Sequence, residues 1–249
     1  MFRVEEAAAE PTRGAPVLSL VFQAHQQAQQ ASLLSMTMHD RIARRPAYVT
    51  TTHGARTTLW RVVAAGAGTL APVASVVWAP PSGGGGGSAR AFPAVERSGS
   101  LTRVEDVLVN KAGTIFGRSP AKHFVAGPHA LACRWKVHDF GLGQRRLSAI
   151  TAAANPGPTT PPVLLAEFFP PSAGVLKPSL TLFSTEAGEA ADDIVFTALL
   201  ATVGRDDWRS IQSPPLAEVI QSVQLTPAFA SASSATLPAY TSTSDLPSY

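Results

Sequence analysis

The stretch Asp192-Asp193-Ile194-Val195-Phe196-Thr197-Ala198-Leu199-Leu200-Ala201-Thr202-Val203 constrains this chain more than any other. Two acids open it and Gly204 closes it. Between them nearly every position is apolar or Thr, so no side is left to face water. A helix that is apolar all round has to be buried. The run is also too short to cross a bilayer, which takes about 20 residues. The spacing predicts a buried helix over about 192–204. Asp192 or Asp193 can accept from the free N–H groups of its first turn, and both oppose the positive end of its dipole.

Almost everything before that helix reads as short strands. Residues 17–22 and 33–38 are the first two candidates. Ala47-Tyr48-Val49-Thr50-Thr51-Thr52, the turn His53-Gly54-Ala55 and Thr57-Thr58-Leu59-Trp60-Arg61-Val62-Val63 read as a hairpin. Further strands are expected at 73–78, 92–95, 100–104, 122–125, 131–137, 146–150, 163–169 and 180–183, with a helical turn or strand edge at 105–108. Strands at this spacing point to a barrel or sandwich. With the buried helix, the expected fold is mostly β: a single antiparallel β-barrel around one central hydrophobic C-terminal helix. The expected domain is 16–212, with a disordered tail over 1–15 and a Pro/Ser/Thr-rich, mostly disordered tail over 213–249. Residues 216–225 could pack locally.

With 45% hydrophobic residues among 249, the chain can form a substantial core. The net charge of +3 does not select a partner. A nucleic-acid binder would concentrate Lys and Arg on one element with aromatics interleaved, and Arg44-Arg45 and Arg145-Arg146 are isolated pairs, so no nucleic acid is expected. Cys133 is the single cysteine, which excludes an internal disulfide and fits a reducing compartment. The first residues lack an apolar signal core. The expected location is intracellular: cytoplasmic, or at the membrane surface.

Motifs with a chemical mechanism fail on inspection. Gly66-Ala67-Gly68-Thr69-Leu70-Ala71 has the G-x-G-x-x-A spacing, but Pro72 and a β-branched run follow where a phosphate-binding helix must start. Gly141-Leu142-Gly143 with Arg145 and Arg146 could cradle a phosphate, yet a strand–strand turn explains it. No H-E-x-x-H occurs among His25, His39, His53, His123, His129 and His138, and one cysteine cannot build a thiolate zinc site. Cys133 and His138 could form a nucleophile pair, but a small buried Cys in a strand accounts for the first. Helix capping accounts for Asp192 and Asp193 as paired carboxylates. Trp60, Trp78 and Trp135 read as barrel-wall or core residues, and Trp208 as a plug at the barrel end. No catalytic, cofactor-binding or metal-binding residue is nominated.

The order Pro46-Ala47-Tyr48-Val49-Thr50-Thr51, Thr57-Thr58-Leu59-Trp60-Arg61 and Val73-Ala74-Ser75-Val76-Val77-Trp78 resembles the first half of an uncharacterised fungal domain family found largely in mushroom-forming fungi. Phe124, Arg134-Trp135-Lys136, Leu147, Leu165-Ala166-Glu167-Phe168, Leu180-Thr181-Leu182 and 193–200 resemble its second half. The resemblance covers about 17–210. Cys133 stands where the family pattern has an aromatic, and the Gly-rich and Pro-rich loops are extra length. That family is similar in architecture to the tubby-like and LURP-one-related proteins, whose barrel encloses one hydrophobic helix. The resemblance implies a non-enzymatic module, a domain of unknown function with no catalytic residues to carry over. Tubby-like proteins add one specific expectation: recognition of phosphoinositide or anionic phospholipid at a membrane face. Arg44, Arg45, Arg56, Arg61, Arg145 and Arg146 are the candidate lipid-binding residues. The alternative is a protein partner captured through the tail and edge strands.

Overall fold

A computed structural model describes residues 13–25, 32–63, 69–79, 93–111, 121–140, 145–152, 162–171, 177–204 and 206–225. They form one antiparallel sheet of 13 strands. The first five are β1 (Leu18–Ala24), β2 (Met36–Asp40), β3 (Arg45–His53), β4 (Arg56–Val62) and β5 (Leu70–Val77). A hairpin of β6 (Ala94–Arg97) and β7 (Ser100–Arg103) follows, then the helical turn α1 (Val104–Val107). The second half is β8 (Val109–Lys111), β9 (Ala121–Ala126), β10 (Leu131–Asp139), β11 (Arg145–Thr151), β12 (Leu164–Phe169) and β13 (Ser179–Leu182). Helices α2 (Thr185–Glu189), α3 (Ala191–Thr202) and α4 (Leu216–Leu225) end the described chain. The hairpin expected around Gly54 is β3–β4, turned through a left-handed Gly54.

The sheet order is β7-β6-β5-β4-β3-β2-β1-β13-β12-β11-β10-β9-β8. Its inner face wraps α3, where every residue from Ile194 to Leu200 is buried. The helix is gripped from both halves of the sheet. Arg97 of β6 reaches Asp193 and lies over the Phe196 ring, while Trp135 of β10 donates its indole N–H to Thr197 Oγ1 at 3.1 Å. Lys122 of β9 donates to the Ala201 carbonyl at 2.8 Å, a cation on the negative end of the helix. One apolar core joins α3 to inward residues such as Leu20, Met38, Leu59, Phe168 and Leu180.

The sheet is not closed into a barrel, which corrects the closed-barrel expectation. Twelve antiparallel steps separate β7 from β8, so these edge strands run parallel. Parallel partners need a crossover of about a dozen residues, and only 104–108 lie between them. The chain bridges the seam covalently instead: 100–103 pair with β6 and 109–111 pair with β9.

Residues outside 16–212 also dock on the sheet. Arg13 is docked, with its guanidinium 3.0 Å from Glu167 and over the Phe183 ring. At the other end Ser213 donates its N–H to the Thr52 carbonyl at 3.0 Å. Val219 and Val223 of α4 then bury against Val49, packed by Trp60, Val62 and Leu70. A spacing of four puts both valines on one helix face, which supplies the local packing expected over 216–225. The rest of both expected tails, 1–12 and 226–249, lies outside the described residues.

Candidate functional site

The paired carboxylates are structural anchors. The N-cap of α3 is Ala190, and no side chain caps it, which corrects the expectation that Asp192 or Asp193 caps the first turn. Both carboxylates point to the wall instead. Asp192 accepts from the Tyr48 hydroxyl at 2.8 Å and from Arg61 at 3.1 Å. Asp193 accepts from Arg97 and from the Gly127 N–H, the latter at 2.7 Å. Burial, then the Asp192 charge and hydrogen bond, push the Tyr48 hydroxyl far above its ordinary pKa, against an opposing pull from Arg61. Gly127 has φ +70°, and a Cβ there would sit 2.9 Å from the Ala190 Cβ, so this close approach requires glycine.

The other sequence candidates fall out by face. Cys133 and His138 are five residues apart on one strand, an odd number, so they point to opposite faces. Cys133 is buried inside, and burial, helped by the Asp193 charge, pushes its thiol up to about 12. An unreactive thiol results. His25 shares its ring nitrogens with Ser35 Oγ at 3.1 Å and Thr37 Oγ1 at 3.2 Å, and burial pushes it down to about 4. Ser213 Oγ donates to Ser35 at 2.8 Å and accepts from the Thr52 N–H at 2.8 Å. This network fastens the approach to α4. Among the described residues no three His, Cys, Asp or Glu side chains are grouped as a metal site. The 66–68 and 141–143 glycine motifs lie outside the described residues. Trp60 stands on the outer face rather than in the core, tied through its indole N–H to Thr51 Oγ1 at 2.9 Å.

The six arginines do not converge. Arg56 and Arg61 sit at opposite ends of β4, about 17 Å apart at strand rise. Arg56 pairs with Glu96 at 2.5 Å and Arg61 with Asp192. Arg145 lies 3.7 Å from Asp139, and Arg146 lies 3.3 Å from Glu167. Arg44, at φ +54°, ends the β2–β3 turn and Arg45 opens β3, at the opposite end of the sheet from Arg145 and Arg146.

The structure assembles a different basic surface. Trp135 faces α3, so alternation sends Arg134, Lys136 and His138 outward at successive outer positions of β10. His123 stands opposite Arg134, and Arg146 opposite His138. His138 registers this density. Its pKa is lowered by burial first, then by Arg146 and Lys136, with Glu167 pulling the other way. Glu167 is shared between Arg146 and Arg13. Among the described residues no carboxylate pairs with Arg134, whose buried Nε–H has no acceptor. The Arg146 Nε–H is in the same position. Sequence reasoning weighed contiguous pairs of arginines and missed cations spaced by two, the pattern that a strand gathers on one face.

No helix of the described residues is long and apolar enough to cross a membrane. Comparison with family models, with curated proteins and with solved structures finds no match. What fold and site define is therefore a class of architecture: an open antiparallel sheet sheathing one buried helix, with a basic outer stripe.

Proposed function

We propose that this chain is a non-enzymatic binding module that docks on anionic phospholipid, phosphoinositide included, through the outer face of β9–β11. The carrying observation is the run Arg134, Lys136 and His138 on successive outward positions, flanked by Arg146 and His123. Outward neighbours on one strand lie about 7 Å apart, a spacing at which separate cations can meet neighbouring headgroups. Juxtamembrane cations contribute about 1 kcal/mol each and are screened by salt.

Kinship with the tubby-like and LURP-one-related architecture belongs to the same proposal. A helix apolar on every side, sheathed by one antiparallel sheet whose seam is bridged by 100–111, supports it.

The test is vesicle co-sedimentation at low and moderate salt, with neutral and phosphoinositide-containing vesicles. Wild type is expected to bind the anionic vesicles and release with salt. Arg134→Ala with Lys136→Ala should weaken binding by about 2 kcal/mol, and Arg44→Ala with Arg45→Ala should not. Absence of binding at low salt overturns the reading. The partner-protein alternative has one observation in its favour. Edge strand β7 is exposed along its whole length, with Leu101 61% exposed, and an exposed edge can accept another chain's strand.

A further inference from the structure

A second surface differs in chemistry. Across the outer face of β3–β6 runs a groove of about 550 Å³, within the roughly 300–1,000 Å³ range of small-ligand sites. Register explains its floor. Thr51 lies opposite Thr58, Thr58 opposite Ser75, and Ser75 opposite Glu96. Four strands thus contribute one row of three hydroxyls and a carboxylate, at about 4.8 Å per strand. Trp60 forms a wall, its ring fixed by the bond to Thr51, and Leu216 of α4 also lines the groove.

The floor hydroxyls are mostly covered, with Thr51 2%, Thr58 8% and Ser75 9% exposed, and the capacity that remains is at their groove-facing edge. A hydroxyl has one donor and two acceptor sites. Thr51 spends one acceptor on Trp60 and retains its own O–H. Thr58 and Ser75 bond each other at 2.9 Å, which uses one of their two donors. Arg56 and Glu96, paired at the groove, are 51% and 31% exposed and hold further N–H donors and lone pairs at its edge. Arg56 and Glu96 offset each other, and Arg97, which also lines the groove, is offset by Asp193, so the groove has no net call for an ion.

We propose that this groove binds a short neutral saccharide. A pyranose ring offers an apolar C–H face to an indole and hydroxyls of both polarities around its rim. That is the complement of one aromatic wall above a row of hydroxyls, closed by a balanced ion pair. A phosphate would gain nothing from Glu96, and an apolar ligand would strand the hydroxyl row. The site is independent of the basic β9–β11 face.

Isothermal titration of the full chain with soluble cello-, xylo-, manno- and chito-tetraose tests this, each taken to about 10 mM so that a Kd of about 1 mM still saturates. Saturable binding of one of them is expected. Trp60→Ala should abolish it. Because Trp60 also supports α4, Glu96→Gln is the decisive variant: it leaves the packing alone and should weaken binding about tenfold, or 1.4 kcal/mol. Arg134→Ala with Lys136→Ala should leave saccharide binding intact, which separates this result from the fate of the lipid reading. No saturable binding of any tetraose by wild type, or binding unchanged in Glu96→Gln, overturns the proposal.

Discussion

The two faces of this sheet are stabilised on different scales. The inner face is a single surface. Residues from both halves of the sheet, Leu59 on β4 and Phe168 on β12 among them, share one core with α3. The outer face is a patchwork. Helix α4 covers Val49, Arg13 covers Phe183, the hydroxyl row is buried in the floor of its groove, and the basic stripe is half-buried. A damaged inner contact is felt by every strand, whereas a damaged outer contact is felt by its own patch.

The largest test of this difference is Phe196→Ala. Phe196 is 2% exposed, packs in the core and carries the Arg97 guanidinium on its ring. Phe→Ala in a core costs about 3–5 kcal/mol. Urea unfolding should show one transition, moved as a whole. Loss of a single patch with the remainder unmoved would break the claim of a common inner core.

An outer network comes next, through acid. His25 has its folded pKa pushed down to about 4 from 6.5. At pH above 6.5 both folded and unfolded states are neutral, so its contribution is intact. As pH falls from 6.5 toward 4, the unfolded chain takes a proton that the folded one refuses, and stability drops. The loss is at most about 3 kcal/mol. His25→Gln should start less stable near pH 7, yet its melting temperature should fall less steeply toward pH 4.5 than that of wild type. Equal slopes would remove His25 from the acid response.

Val223→Asp is smaller and more local. It places a charge in the small cluster of Val49, Val219 and Val223. The cost is about 1–2 kcal/mol, because α4 can lift away rather than bury the carboxylate. Limited proteolysis should cut near 216–225 while the sheet's amide protection stays unchanged. Loss of protection across β9–β12 would show that the outer patches are coupled after all.

The sequence displayed the inner face far better than the outer. The helix was legible because its burial is total: with no polar side at 194–200, no alternative placement exists. The strands were legible because Val, Thr and aromatic residues alternate between turn residues such as Gly54 and Gly127. Closure was not legible, since it depends on the parity of the strand count and on a five-residue link. The basic stripe was present as Arg134-Trp135-Lys136-Val137-His138, but reading it requires knowing that Trp135 points inward. Adjacent arginines look like a cluster in a string of letters, yet neighbours on a strand point to opposite faces. Arg146 joins the stripe through its register with His138, a relation that spans a turn and has no local signature.

The smallest expected effect concerns Arg44 and Arg45. Both are exposed at the β2–β3 turn, and neither pairs with a carboxylate among the described residues. Substituting both by Ser should change unfolding free energy by no more than about 0.5 kcal/mol. The backbone strain at Arg44 is unchanged in that variant. Arg44 holds φ +54°, a conformation that costs any residue with a Cβ, and Ser inherits the same strain. Arg44→Gly should relieve it and stabilise the chain by up to about 1 kcal/mol. If the double Ser variant instead lost anionic-vesicle binding with its stability intact, the docking face would move from β9–β11 to this turn, at the other end of the sheet. The contrast between one shared core and independent outer patches would still stand.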